Sequence, residues 1–170
     1  MTATVMDVTH TMMDSPLGEL TLVGNDGALA GVYFAGQRNR PRPGRLGRRA
    51  PAELAEPVRQ LGEYFAGERT AFKLDLDLHG NAFDQQVWAL VAAIGYGQTR
   101  SYGQLARELG DPGLAKEVGA SNARNRLCIV VPCHRVVGAD GKLTGYAGGL
   151  ARKRALLELE AAAEPTGRLF

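Results

Sequence analysis

The stretch SYGQLARELGDPGLAKEVGASNARNRLCIVVPCHR, residues 101–135, decides the architecture of the second half of this chain. Ser101, with Gln104 three positions on, has the capping-box form, in which each side chain satisfies a backbone N–H that a helix start leaves open. The helix so opened runs through Leu105 and Leu109 to a stop at Gly110. Asp111-Pro112-Gly113 is a tight turn, and Leu114 to Ala123 can form a second short helix. Two short helices joined in this way give the helix-turn-helix layout, with the second helix as reader. Alone the layout does not specify DNA binding, because many helical hairpins share it.

Leu127 to Val131 is an apolar run with β-branched members, which predicts a buried strand ending at Pro132-Cys133-His134-Arg135. Pro132 removes a backbone donor and biases Val131 to extended backbone, so the strand stops and Cys133 sits at its mouth. A cysteine attacks as thiolate, and a thiol of pKa about 8.5 needs a nearby cation or base to ionise at neutral pH. His134 and Arg135 are the adjacent candidates. Zinc would need about four ligands, and Cys128, Cys133, His134, His10 and His79 lack the usual spacing. A Cys128–Cys133 disulfide would have to span five residues of extended chain, too far for the required geometry. An inert core residue is the plain reading of Cys128.

Downstream, Leu150 to Ala163 reads as a helix with an apolar stripe through Leu150, Leu156 and Leu157, and wrapping at 3.6 residues per turn places Glu160 and Lys153 on that face. A buried carboxylate must be paired or hydrogen-bonded, and orienting a histidine is a common solution beside catalytic cysteines. The pattern suggests a Glu160–His134–Cys133 relay; a rim ion pair between Lys153 and Glu160 is the alternative. Upstream, Asn81 is read as the cap of a helix with Phe83, Val87, Leu90, Val91 and Ile94 on one face, ended by Gly95, with Trp88 in the core.

The first half is organised differently. Leu17 to Val23 and Ala28 to Phe34 flank the turn signal Asn25-Asp26-Gly27 and predict a β-hairpin. Phe72 to Leu78 alternates leucine with aspartate as a strand with one buried face does. Gly36 to Pro51 carries six arginines and three prolines without hydrophobic period, which reads as a mobile loop. Leu54, Val58, Leu61 and Phe65 at helical spacing give one helix packed on the sheet. Residues 1–79 thus form an α/β unit and residues 80–170 a mostly helical one.

At 170 residues, 45% hydrophobic and 22% charged, the composition is globular and excludes both a large multidomain machine and a wholly disordered chain. Two cysteines exclude a disulfide-rich secreted scaffold. The opening residues lack a signal-peptide pattern and no run of about 18 apolar residues occurs, so a cytoplasmic location with no membrane partner is expected. Net charge is only +2, yet Thr99 to Arg154 holds ten Lys or Arg against four acidic residues. Such a local field suits a polyanion; a solvated basic face is the other reading.

The stretch Ile129-Val-Val-Pro-Cys-His-Arg-Val-Val137 resembles the active-site signature of the O6-alkylguanine-DNA alkyltransferases, also called methylated-DNA-protein-cysteine methyltransferases. The resemblance takes in Gly95-Tyr96-Gly97, Ser101-Tyr102-Gly103, Asn125, Gly145-Tyr146, Gly148-Gly149 and Lys153 to Glu160, and is strong from Phe83 to Glu160. More loosely, the N-terminal hairpin and helix are similar to that family's ribonuclease-H-like domain. The implied fold is α/β (α+β), with a small N-terminal sheet-and-helix domain and a C-terminal domain of winged helix-turn-helix type.

The resemblance implies irreversible transfer of an alkyl group from O6-alkylguanine, and from O4-alkylthymine, in double-stranded DNA to Cys133, by a monomer without cofactor or metal and without turnover. Displacement at saturated carbon develops no tetrahedral oxyanion, so no oxyanion hole is required, and a thioether has no acyl carbon for water to attack. A water is expected to link His134 to Cys133, Glu160 to polarise His134, and Asn125 to brace the turn between reader helix and active-site strand. Tyr146 is expected to bind guanine and protonate it as it leaves, with packing as its neutral role; Pro132 and Lys153 support the site. Extruding the base costs a few kcal/mol. The DNA-facing set implied is Tyr102, which rotates the target phosphate, with Ala115, Lys116, Gly119, Ala120, Arg124, Arg126 and Arg135. Two departures stand out: Lys116 holds the place of the family's intercalating arginine and lacks a planar guanidinium to stack, and Arg126 follows Asn125 where many members have proline. A non-catalytic lesion sensor or transcriptional regulator built on the same helices is the competing class, although the related alkyltransferase-like proteins replace the cysteine. A cysteine hydrolase using Cys133 and His134 is a third.

Overall fold

The computed structural model describes residues 7–163, so residues 1–6 and 164–170 of the two expected units lie outside the described residues. In the first unit the hairpin forms as expected, from β2 (Leu20–Asn25) and β3 (Ala28–Phe34). Asp26 (φ 49°) and Gly27 (φ 88°) supply the two left-handed residues whose twist matches antiparallel strands. Two further strands make an ordered sheet β3-β2-β1-β4: β1 (Val8–Met13) runs antiparallel to β2, and β4 (Arg48–Arg49) pairs parallel to β1. The sequence hides β1 because its buried residues include Thr9 and Thr11, which break the apolar alternation.

Against this sheet lies α1 (Ala55–Phe65), whose buried positions Pro57, Leu61 and Tyr64, with Leu54 just before it, are rotated slightly from the expected stripe; Val58 and Phe65 are only partly buried. The arginine-rich stretch is not a free loop. Leu46 and Ala50 are buried, Arg40 donates to Thr21 Oγ1 at 2.9 Å, and Arg48 pairs with Asp7 and Glu53. Phe72 to Leu78 keeps its alternating exposure but makes only one bridge, Leu76 to Leu29, held by Leu29 N to Asp75 O and Asp77 N to Leu29 O.

In the second unit local signals hold well. Asn81 and Asp84 form a capping box at the start of α2 (Ala82–Ala92), and Ser101 and Gln104 form another at α3 (Tyr102–Glu108). Beyond the turn comes α4 (Ala115–Ala123), the reader position, tied to α2 by Trp88 Nε1 donating to Ser121 O at 2.8 Å. Strands β5 (Arg100–Ser101) and β6 (Val136–Val137) pair in parallel, and α5 (Leu150–Ala163) closes the unit. Its buried face is Lys153, Leu156 and Glu160, while Leu150 is 47% exposed and does not belong to the stripe.

The expected strand Leu127–Val131 is a turn instead. Only Leu127 bridges to β3, at Val32; Val131 N then reaches back to Leu127 O at 2.9 Å, and Ile129 sits at φ 74°. An apolar run reads alike as buried strand or buried turn, and here the side chain of Asn125 replaces the missing ladder. Its Oδ1 accepts from Leu127 N at 3.0 Å and its Nδ2 donates to Val131 O at 2.9 Å. A β-branched residue in the left-handed region costs about 1–3 kcal/mol and persists only where surroundings over-determine it. One hydrophobic core runs through both units, from Leu20 and Phe34 to Val118 and Leu156, and Arg152 spans them by donating to Leu17 O and Ala35 O above the Phe34 ring. Among the described residues no helix is long and apolar enough to cross a membrane.

Candidate active site

The turn from Asn125 delivers Cys133 to the first position of a short 3-10 turn, Cys133–Arg135, behind the buried Pro132. Asn122, from α4, donates to Cys133 O at 3.2 Å and fixes the turn against the reader helix. Cys133 is 3% exposed and lines a cavity of about 560 Å³, bounded also by Gln37, Tyr102, Gly119, Tyr146 and Gly148. Gly148 is required there: a Cβ would come within 2.6 Å of the Phe34 ring and 2.8 Å of Tyr146.

The turn also folds Cys128 back onto Cys133, so the extended-chain argument against their approach fails, although both thiols are free. Cys128 is no inert filler. Its S–H has Gln37 Oε1 as acceptor at 3.5 Å, and its sulfur interacts with that of Cys133. That contact is the main reason the Cys133 thiol is held below its ordinary value; burial opposes, and Asn125 and the Lys153 charge assist. Cys128 moves the other way, well above its ordinary value, through the same contact and then burial, and so stays a donor. The Tyr146 hydroxyl borders both sulfurs, and burial above all raises it far enough to keep its proton.

Behind the nucleophile, His134 Nε2 lies 2.6 Å from Glu160 Oε2 and must carry the hydrogen, which leaves Nδ1 as the acceptor in the neutral ring. Nδ1 is buried without a hydrogen-bond partner among the described residues, and none of them bridges His134 to the sulfur directly. Burial, backed by Arg135 and Lys153, lowers the His134 value despite Glu160, so the ring is neutral at physiological pH. Burial pushes the Glu160 carboxyl up, but His134 and Arg135 outweigh it and hold it at about 2. Arg135 grips Glu160 through Nε at 2.8 Å and Nη2 at 3.0 Å, and Gly97 N and Tyr64 Oη complete the cage.

Lys153 does not pair with Glu160, which removes the rim ion pair. Its Nζ donates to Val136 O, Thr144 O and Gly145 O at 2.6, 2.9 and 3.2 Å, tying β6 to the segment that carries Tyr146. Burial lowers its ammonium to about 8, with the Cys133 thiolate opposing. Among the described residues no group of three or more His, Cys, Asp or Glu could hold a metal.

A low-pKa cysteine in a cavity beside a reader helix, backed by an oriented histidine, is an alkyl-acceptor geometry. The family model for the DNA-binding domain of 6-O-methylguanine DNA methyltransferase matches residues 82–162, and that for its ribonuclease-like domain matches residues 8–78. The chain belongs to the 6-O-methylguanine DNA methyltransferase family. It is 49% identical to the methylated-DNA-protein-cysteine methyltransferase of Mycolicibacterium paratuberculosis over 90% of this chain and 92% of that one. The constitutive methyltransferase of Bacillus subtilis is 38% identical over 87% of this chain and 92% of its own. Among solved structures, Mycobacterium tuberculosis OGT in complex with DNA superposes with a TM-score of 0.86 at 47% identity, covering 92% of this chain and 95% of that one.

On this member of the methyltransferase family the expected DNA-facing residues divide. Lys116 and Ala120 are exposed on α4, Ala115 is partly so, Gly119 is partly so and lines the cavity, and Arg126 is exposed just beyond. Tyr102 lines the cavity next to Gly119 and donates to Thr144 O at 3.2 Å. Arg124 is half-exposed but already paired with Asp84 and Ser121. Arg135 is a correction: 5% exposed and spent on Glu160 and Ile94 O, it cannot reach a phosphate. Four contributors escaped the sequence reading: Gln37, Tyr64, Asn122 and Cys128. A tyrosine at helical spacing from Leu61 could have been flagged, since a buried hydroxyl needs a partner.

Proposed function

We propose that the protein transfers an alkyl group from O6 of guanine in double-stranded DNA to the Sγ of its own Cys133, acting once as a single copy. The observation that carries the reading is Cys133 itself: a thiol of lowered pKa lining a cavity that opens beside α4. The two-unit division at residues 79 and 80 belongs to the same reading, with the second unit holding the acceptor and the DNA face and the first bracing it. In the reaction a neutral His134 takes the Cys133 proton at Nδ1 through a water, and Glu160 balances the imidazolium. The thiolate attacks the alkyl carbon, a C–S bond forms, and the C–O bond breaks with its electron pair passing to guanine. Tyr146, held as a phenol, donates the proton that guanine needs as it leaves and recovers one from the imidazolium side. The thioether has no route back, so each molecule reacts once. A DNA substrate supports a location beside the chromosome, the cytoplasm in a cell without a nucleus. O4-alkylthymine offers the same alkyl ether carbon and belongs to the same proposal.

The base must leave the duplex to reach the sulfur, at a cost of a few kcal/mol. The small residues of α4 let a backbone approach, and Lys116, at the head of that helix, is placed to support the vacated stack by charge rather than by stacking. Incubation with an O6-methylguanine duplex should add one methyl mass to the Cys133 peptide, stoichiometrically and without turnover. Methyl uptake by Cys133→Ala, or binding of the lesion with no uptake by the intact protein, would overturn the assignment, the second in favour of a sensor.

A further inference from the structure

Glu160 has more donors than the orientation of one imidazole requires. Oε1 accepts from Arg135 Nε and Gly97 N, and Oε2 from His134 Nε2 at 2.6 Å, Tyr64 Oη at 2.6 Å and Arg135 Nη2 at 3.0 Å. Every donor except one comes from the second unit. Tyr64 belongs to α1 of the first and is fully buried, edge-on to Phe65 and Tyr96. A buried tyrosine hydroxyl needs an acceptor somewhere; this one uses the oxygen that holds His134.

We propose that Tyr64 is a positioning residue for alkyl transfer, through which the N-terminal unit sets how strongly Glu160 holds His134. The proposal rests on the alkyl-acceptor reading of Cys133. Three donors on one carboxylate oxygen share its charge, so the phenol, beside Arg135 Nη2, weakens the pull of Glu160 on the imidazole and favours the neutral ring. Other groups facing this pair are Arg135 from the active-site turn and Lys153 from α5, both opposing a second proton on His134, with Cys133 beside it and Tyr96 against Arg135 and Tyr64. Burial first, then Glu160, raises the Tyr64 phenol beyond the working range, so it acts as a fixed neutral donor.

Tyr64→Phe removes the donor and keeps the ring. His134 should then bind its proton more tightly, by about half a pH unit to one unit, the size of one neutral hydrogen bond. The imidazole shifts of His134, followed by NMR in the DNA-free protein, read this directly. Because the neutral ring is the base, the acidic limb of the single-turnover transfer rate should move to higher pH by the same amount, with DNA affinity unchanged. Replacing Tyr64 by 3-fluorotyrosine, a stronger donor of nearly the same shape, should move both readouts to lower pH, and it keeps the test open should the phenylalanine variant not fold. In a Glu160→Gln background neither replacement should move the limb. An unshifted His134 titration in both replacements, or an equal rate loss at every pH, would reduce Tyr64 to packing and overturn the proposal. Absence of transfer by the unsubstituted protein would instead sink the functional reading and leave the NMR result standing.

Discussion

Cys128 and Cys133 sit five residues apart in one turn, both buried and both unbridged, and their thiols are shifted in opposite directions. The contact with Cys133 and then burial raise Cys128, outweighing the lowering by Tyr146 and Gln37, so it keeps its proton. Cys133 has a thiol donor, the Asn125 amide and the Lys153 charge around it, and loses its proton more readily. Depth of burial does not separate the two, since burial raises both. What separates them is the sign of their mutual contact, which raises Cys128 and lowers Cys133, with the Asn125 amide and the Lys153 charge adding to the lowering at Cys133 alone.

The comparison breaks most completely at the nucleophile. With Cys133→Ala, alkyl uptake from DNA should vanish, and intact-mass measurement should find Cys128 unmodified, because that thiol stays protonated and faces Cys133 and Gln37 rather than the DNA face. Alkyl on Cys128 at a comparable rate would show that access rather than ionisation distinguishes the two. Next in size comes Lys153→Met. The ammonium satisfies the carbonyls of Val136, Thr144 and Gly145, of which Val136 O is buried while Thr144 and Gly145 are exposed residues, and stranding one buried acceptor costs about 1–3 kcal/mol, so a loss of about that size is expected in urea unfolding. The surviving fold should transfer more slowly, since the cation that favours the thiolate is gone. Unfolding midpoints within error of the parent would show that water takes over those three carbonyls.

How much of this pairing the sequence revealed depends on the range of the interactions. The Ser101–Gln104 capping box, the Asn81 cap, the Asp26-Gly27 hairpin and the α3–turn–α4 layout were legible because each is fixed within four or five residues. Glu160 was legible because a carboxylate on an apolar stripe demands a partner, and the structure supplies His134. The strand expected at Leu127–Val131 was not, because the turn that replaces it is set by the Asn125 side chain and by contact with Val32, nearly a hundred residues away. The same turn carries Cys128 to Cys133, so misjudging it also hid the donor. Arg135 was misplaced onto DNA for a related reason: its guanidinium is claimed by Glu160 from a different helix, and nothing near position 135 announces that claim.

A smaller effect follows from removing the donor alone. In Cys128→Ala the Cys133 thiol loses its largest source of lowering and should titrate higher by about half a unit to one unit, the worth of one hydrogen bond. The sign follows from the ionising form. A depressed folded pKa means ionised sulfur stabilises the fold above the ordinary thiol value, and this is lost as pH falls through the folded value. The variant should therefore reach its plateau of transfer rate at higher pH and run roughly three- to tenfold slower at neutral pH, with DNA affinity untouched. An unmoved pH profile would assign the lowering to Asn125 and Lys153 instead.

The finest distinction is between the donor and the volume of Cys128, and Cys128→Ser separates them. Serine keeps a hydrogen to donate and never ionises in the working range, but its shorter bond to Cβ draws the donor back from the Cys133 sulfur, and Gln37 Oε1 competes for it. Its hydrogen bond should be weaker than the one it replaces yet stronger than none. The Cys133 value should then lie between those of the unsubstituted protein and Cys128→Ala, less than about half a unit above the former. Ultraviolet thiolate absorbance, read in each variant against its Cys133→Ala counterpart, resolves a difference of that size. Equal values for the serine and alanine variants would mean that filled space beside Cys133, and not a shared hydrogen, makes the two thiols unlike.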